Sequence, residues 1–168
     1  MVLIALGANL PSQIGPPHGT LRAVLERLPQ HGIEVLRVSA FYESEAWPDP
    51  SDPPFVNAVA LVKTELPPSV LMATLHEIEE AFGRKRSTPN APRTIDLDLI
   101  DYDGRVEEGP PRLPHPRMES RAFVLVPLCD IAREWRHPVS HKTVAELIAA
   151  LPPDTGAIGQ LRVFDRAP

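Results

Sequence analysis

The stretch Arg93-Thr94-Ile95-Asp96-Leu97-Asp98-Leu99-Ile100 limits the fold more than any other part of the chain. Apolar residues alternate with aspartates at a period of two, a spacing that a β-strand converts into two distinct faces. Ile95, Leu97 and Leu99 then share a buried face, while Asp96 and Asp98 stand side by side on the other. Aspartate is a poor strand former, and two carboxylates about 6–7 Å apart repel by roughly 2–3 kcal/mol at an effective dielectric near 20. A divalent cation between them reverses that sign. Magnesium takes one or two carboxylates plus phosphate oxygens and water, which this arrangement can supply. The competing reading is a solvated edge strand whose aspartates discourage aggregation.

The flanking residues bear on that choice. Arg84-Lys85-Arg86 comes before the pair and Arg93 sits just ahead of it, with the loop-forming Ser87-Thr88-Pro89-Asn90-Ala91-Pro92 between. Taken alone, Arg84 to Arg86 read as cations at a helix C-terminus. Together with the aspartates they suit a polyphosphate, whose charge is shared between a metal and guanidinium forks. Phosphoryl transfer asks the protein mainly for positioning and charge stabilisation. No Walker-type or kinase-type glycine loop is present, and Gly7-Ala8-Asn9 is too short to cradle phosphates. His115, between two prolines, is a candidate ligand contact; His18, His31, His137 and His141 read as surface or capping residues.

Around this segment the chain alternates between strand and helix periodicities. Val2 to Leu6 is an apolar run entering a loop, and Leu21, Val24, Leu25 and Leu28 recur at helical spacing until Pro29 and Gly32. Ile33 to Tyr42 reads as a second strand and Phe55 to Thr64 as a third. The proline-rich 48–54 segment between them can be neither helix nor central strand. Pro67-Pro68 opens a helix whose stripe is Leu71, Leu75, Ile78 and Phe82, closed by Gly83. The aspartate strand follows, with a hairpin turn expected at Asp103-Gly104. Met118 to Ala132 reads as partly helical, Val144 to Leu151 as a short helix, and Gln160 to Phe164 as a last strand. The order is that of an α+β, ferredoxin-like β-α-β-β-α-β core. We expect a mainly antiparallel sheet with helices packed on it, a C-terminal helical and strand extension, and a single domain over 1–168.

Composition narrows the partners. The formal charge is -5 with no long run of one sign, which disfavours a nucleic-acid partner. Cys129 is the only cysteine, so no internal disulfide can form. No apolar stretch is long enough to span a bilayer, and the N-terminus lacks the basic start of a signal peptide. The expectation is a cytoplasmic monomer acting on small molecules, without membrane association.

In these residues the chain resembles the 6-hydroxymethyl-7,8-dihydropterin pyrophosphokinases. The resemblance runs through Gly7-Ala8-Asn9-Leu10, Phe41-Tyr42, Phe55-Val56-Asn57-Ala58 and Gly83-Arg84. It continues through Pro92 to Leu99, Pro114 to Met118 and Arg121 to Leu125. It implies an ATP-dependent diphosphokinase of folate biosynthesis, releasing AMP, with ATP as co-substrate. It further implies that Asp96 and Asp98 hold two magnesium ions and that Arg84 and Arg93 stabilise the transferring diphosphate. Glu79, Arg86, Leu99, His115 and Arg121 match nucleotide-contacting positions. Phe55 and Phe123 match an aromatic pair that sandwiches the pterin, and Asn57 a hydrogen-bonding partner of its ring. Ser44, Trp47 and Asp96 complete the expected pterin contacts. The family's Trp-Gly ahead of Pro-Arg is Asn90-Ala91 here, which makes Trp47 the candidate replacement for that tryptophan. Without the resemblance, Phe55 and Phe123 would read as core residues and Glu79 as a solvated helix residue.

Two other classes fit paired aspartates on such a sheet. A nucleotidyltransferase or palm-type polymerase would attack the α-phosphate and release pyrophosphate. A non-catalytic ligand-sensing module would bind nucleotide without needing the aspartates.

Overall fold

A computed structural model describes residues 1–46, 49–84 and 91–152, together with the backbone of 162–166. The chain runs β1 (Val2–Ala8), α1 (Pro17–Arg27), β2 (Glu34–Val38), β3 (Ala40–Ser44), β4 (Phe55–Lys63), α2 (Pro68–Ala81), β5 (Asp96–Tyr102), α3 (Ala122–Ile131), α4 (Val144–Ala149) and β6 (Arg162–Arg166). The strands form one antiparallel sheet in the order β5-β1-β4-β3-β6, with β2 also paired to β4. The first strand of the sequence therefore lies between β4 and β5. Among the described residues no helix is long and apolar enough to cross a membrane.

Period-two alternation gives the sheet two apolar faces, and each is covered. On one face Val2, Ile4, Leu6 and Ala8 of β1 and Leu97 and Leu99 of β5 meet Leu21, Val24 and Leu25 of α1 and Leu71, Leu75 and Ile78 of α2. On the other, Leu3, Val59 and Ile100 meet Val124, Leu125 and Leu128 of α3, Val144 and Leu147 of α4, and Trp135. Fully burying each such aliphatic side chain contributes roughly 1.5–3 kcal/mol. Both α1 and α2 carry a proline in their first turn, where a missing N–H costs nothing.

The structure departs from the sequence reading at two places. The expected strand over 33–42 is two strands, broken at Ser39. The Ser39 hydroxyl accepts the Val59 N–H at 3.0 Å, a place that a backbone carbonyl fills in an unbroken ladder, and donates to Ala40 O at 2.8 Å. Second, the Asp103-Gly104 turn forms but starts no hairpin with β5. The chain beyond it pairs Glu107 with Leu113 instead. The segment from Met118 is partly helical as expected, a 3-10 turn, Met118–Ser120, followed by α3. The last strand is Arg162–Arg166, antiparallel to β3; the expected start at Gln160 lies outside the described residues.

The pairing of β5 with β1 shifts register partway along the strand. Asp98 faces Ala5 and Leu99 faces Ile4, but Asp101 faces Leu3, so Ile100 is the extra residue of a bulge. Up to Leu99 the odd-numbered residues are buried and the aspartates stand outward. Beyond the bulge, Ile100 and Asp101 are both buried against the α3 side, where Trp135 Nε1 donates to Asp101 Oδ2 at 3.1 Å. The bulge thus separates an open acidic segment from a closed one on the same strand.

Candidate active site

Cross-strand register assembles the site on the face that carries α3. Tyr42 pairs with Asn57, Asn57 with Gly7, and Gly7 with Asp96, so these four lie in one row across four strands. One step along, Phe55 pairs with Ser44; one step the other way, Ala5 pairs with Asp98. Residues directly opposite each other point to the same face. Asn57 is 4% exposed and its Nδ2 donates to Ser44 Oγ at 2.9 Å. A Cβ on Gly7 would stand 3.4 Å from Asn57 Oδ1 and 3.9 Å from Phe55 Cδ1. The glycine therefore leaves a shallow recess between the amide, the phenyl ring and Asp96.

Each aspartate is matched to its own cations. Asp96 pairs with Arg84 Nη1 at 2.7 Å and Arg93 Nη1 at 2.8 Å. Asp98 pairs with Arg121 Nη1 at 3.2 Å and faces His115 Nε2 at 3.8 Å. Two of these arginines also rest on the two phenylalanines. The Arg93 guanidinium carbon lies 5.8 Å from the Phe55 ring centre, and that of Arg121 lies 5.4 Å from Phe123. Arg121 is the residue just ahead of α3, so the helix start sets both its guanidinium and the Phe123 ring at the open end of the sheet.

Arg84 owes its place to the end of α2. Gly83 adopts a left-handed φ of 82°, and the backbone N–H groups of Gly83 and Arg84 donate to Glu80 O and Glu79 O at 3.0 Å each. This Schellman closure brings Arg84 back over the last turn of the helix. There its guanidinium bonds Glu79 Oε1, which also accepts the Leu97 N–H of β5 at 2.6 Å. Glu79, read from sequence alone as solvated, is 1% exposed. Burial pushes its carboxyl up to about 7, against the opposing pull of the Leu97 N–H and Arg84. It meets protein groups on both sides rather than open solvent.

From Asp98 a cleft of about 580 Å³ runs between α2 and the 108–116 segment. Ser69, Met72, Ala73 and His76 of α2 form one wall, Arg112, His115 and Pro116 another, and Leu99 lies at the strand edge between them. His115 is held by its backbone N–H on Ile100 O at 2.9 Å, and its Nδ1 accepts from Arg117 N at 3.2 Å. Burial lowers its imidazole below the usual range, and Asp98 opposes that shift. The Arg121 guanidinium is also lowered by burial, again with Asp98 opposing.

The sequence-derived residues Arg84, Arg93, Asp96, Asp98, His115, Arg121, Ser44, Phe55, Asn57 and Phe123 thus gather at one end of the sheet, with Leu99 beside them and Glu79 beneath Arg84. Trp47 and Arg86 lie outside the described residues. The sequence reading missed the α2 wall of the cleft. Its signal was present: Ser69, Met72, Ala73 and His76 recur at helical spacing along a stripe beside the apolar one.

A sequence model of the family described as 7,8-dihydro-6-hydroxymethylpterin-pyrophosphokinase matches residues 3–133. A 2-amino-4-hydroxy-6-hydroxymethyldihydropteridine pyrophosphokinase of Synechocystis sp. is 43% identical over 148 residues, covering 87% of this chain and 73% of the relative. The enzyme of the same name from Pseudomonas aeruginosa is 38% identical over 155 residues, covering 90% of this chain and 91% of the relative. The crystal structure of Plasmodium falciparum HPPK-DHPS superposes with a TM-score of 0.64 at 14% identity over 88% of this chain. The present chain spans 40% of that longer protein, and the likeness speaks for the fold. The chain belongs to the 7,8-dihydro-6-hydroxymethylpterin-pyrophosphokinase family.

Proposed function

We propose that the row of polar and aromatic groups on the α3 face binds the pterin, that the cleft beside α2 binds ATP, and that Asp96 and Asp98 mark the point where the two meet. Membership of the family makes the reaction a diphosphate transfer from ATP to 6-hydroxymethyl-7,8-dihydropterin, a step of folate biosynthesis. The observation that carries the assignment of residues is the separate pairing of the two aspartates. Asp96 looks toward Arg84 and Arg93, and Asp98 toward Arg121 and His115.

The chemistry makes a bond between the hydroxymethyl oxygen and the β-phosphorus and breaks the bond from that phosphorus to the α,β-bridging oxygen, so that AMP leaves and the hydroxyl proton is released to solvent. Phe55 and Phe123 bracket a flat heterocycle through stacking and apolar burial. The Gly7 recess gives it a flat floor, and Asn57, fixed by Ser44, offers its amide oxygen to a ring N–H. Arg84 and Arg93 exchange a carboxylate for phosphate oxygens and follow the charge as it moves to the leaving group. Arg121, His115 and the edge of β5 at Leu99 hold the nucleotide along the cleft. Arg86 and Trp47 complete the phosphate and pterin contacts respectively.

The residues fit magnesium. Asp96 and Asp98 are hard oxygen donors side by side, with side chains 24% and 26% exposed. Among the described residues no cluster of three or more His, Cys, Asp or Glu side chains forms a complete cage. Two carboxylates that leave the remaining positions to phosphate and water suit this ion, and we assign them two magnesium ions. When bound, the ions supply positive charge that offsets and aligns the polyphosphate.

The strand order, with helices following β1 and β4, supports a ferredoxin-like core. We take the chain as one pyrophosphokinase domain that acts as a monomer, a reading supported by the described site residues gathering at one end of its own sheet. The cytoplasm, where ATP is held, is the compartment the reaction calls for. Product analysis tests the reading: AMP should accumulate with magnesium-ATP only when the pterin is added, in equal amount to pterin diphosphate. ADP as product, or pyrophosphate released from the α-phosphate, would contradict it.

A further inference from the structure

One residue of the early Gly7-Ala8-Asn9-Leu10 motif has no part in the chemistry above, yet it joins the two halves of the site. Asn9 follows directly on β1, the strand that lies between the one carrying Phe55 and the one carrying Asp96. It is 2% exposed, and both ends of its amide are used. Oδ1 accepts the Arg93 N–H at 2.8 Å, and Nδ2 donates to Pro53 O at 3.0 Å. The backbone N–H groups of Asn9 and Leu10 both donate to Arg93 O at 3.1 Å. Arg93 is thus held at its N–H and at its carbonyl, which fixes the direction in which its guanidinium leaves the chain.

The other link is stiff. Between the Pro53 carbonyl and Phe55 lies only Pro54, whose φ is fixed by its ring, so few soft torsions separate the tether from the phenyl wall. The two bonds also dictate the residue type. An N–H on one side requires an acceptor, and a proline carbonyl on the other requires a donor. Asparagine supplies both at this length, whereas aspartate would turn an acceptor toward the Pro53 carbonyl and serine would not reach.

We propose that Asn9 is a positioning residue that couples the pterin wall to the phosphate grip, so that filling one substrate site tightens the other through a single buried amide. The inference rests on the assignment of Phe55 to the pterin and Arg93 to the phosphates. Such coupling is reciprocal and is commonly about 5- to 150-fold in binding constants.

Calorimetric titration of the full chain with the pterin substrate, with and without magnesium and a non-hydrolysable α,β-methylene analogue of ATP, tests it. In the wild type the analogue should tighten pterin binding about tenfold or more. Asn9→Asp keeps the size and the bond to Arg93 but loses the donor to Pro53. It should abolish most of that enhancement, whatever the new carboxylate does to the affinity for the analogue alone. Asn9→Ala should lose the enhancement and weaken the analogue as well; should it fail to fold, Asn9→Asp decides. Wild-type coupling that is absent, or that survives in Asn9→Asp, overturns the proposal. So does a loss of both affinities by one common factor in Asn9→Asp, the mark of a merely structural role. Formation of AMP by the wild type with pterin, measured alongside, separates failure of this coupling from failure of the substrate assignment.

Discussion

Glu79 shows how a single buried carboxylate can fix the position of an arginine at the end of a helix. Its Oε1 serves the Leu97 N–H and the Arg84 guanidinium together, while Oε2 has no hydrogen-bond partner among the described residues. A carboxyl raised by desolvation from 4.5 to about 7 binds its proton more readily in the folded chain than in the unfolded one. Between those two values the folded state holds more protons, so this group's contribution to stability falls as the pH rises. In the unliganded protein, the free energy of unfolding of the wild type relative to Glu79→Gln should therefore decline from about pH 4.5 to about pH 7. Denaturant titrations at several pH values read that difference, and a difference that rises over the window would contradict the assignment. Phe123 makes a second residue-scale case. It is only partly buried against the α3-side core and touches Arg121. Phe123→Ala should weaken pterin binding roughly tenfold or more, from the 1–3 kcal/mol typical of a stacked heterocycle, and leave ATP binding much less affected. Equal loss of both would make the ring a core residue.

At the scale of elements, the strongly periodic segments were legible and the interruptions were not. The alternation in β5 foretold its two faces, and the Leu71, Leu75, Ile78 stripe foretold the buried side of α2. The break at Ser39 was hidden because a serine inside a Val-rich run carries no turn signal until its hydroxyl finds the Val59 N–H. The bulge at Ile100 was hidden for a similar reason, since only the pairing with β1 shows that one residue is extra. Without the resemblance Glu79 reads as solvated, because its helical position gives no hint that β5 lies beside it. Gly83, by contrast, was legible as a helix stop, and its left-handed φ gives that role a cost that can be measured. Gly83→Ala should destabilise the fold by about 1–2 kcal/mol and lower turnover as Arg84 loses its register. Gly19→Ala, inside α1 with ordinary contacts around a new Cβ, should stabilise by about 0.5–1 kcal/mol. A denaturant midpoint of Gly83→Ala equal to or above that of the wild type would refute this role for the α2 terminus.

The whole molecule places its stability and its chemistry at different ends of one sheet. Two apolar clusters close most of both faces, and near the start of α3 the side chains of Asp96 and Asp98 stay partly exposed. Asp96 and Asp98 are held outward there, each against its own cations, where we propose that they meet magnesium and polyphosphate. Removing one of them should harm the reaction far more than the fold. The most direct test is steady-state turnover of Asp98→Ala at saturating ATP, pterin and magnesium, with its melting temperature recorded in parallel. Turnover should fall by at least about a hundredfold, while the protein still folds cooperatively with a melting temperature lowered only modestly as Arg121 loses its partner. Turnover within a few-fold of the wild type, at undiminished magnesium dependence, would contradict this role for the pair.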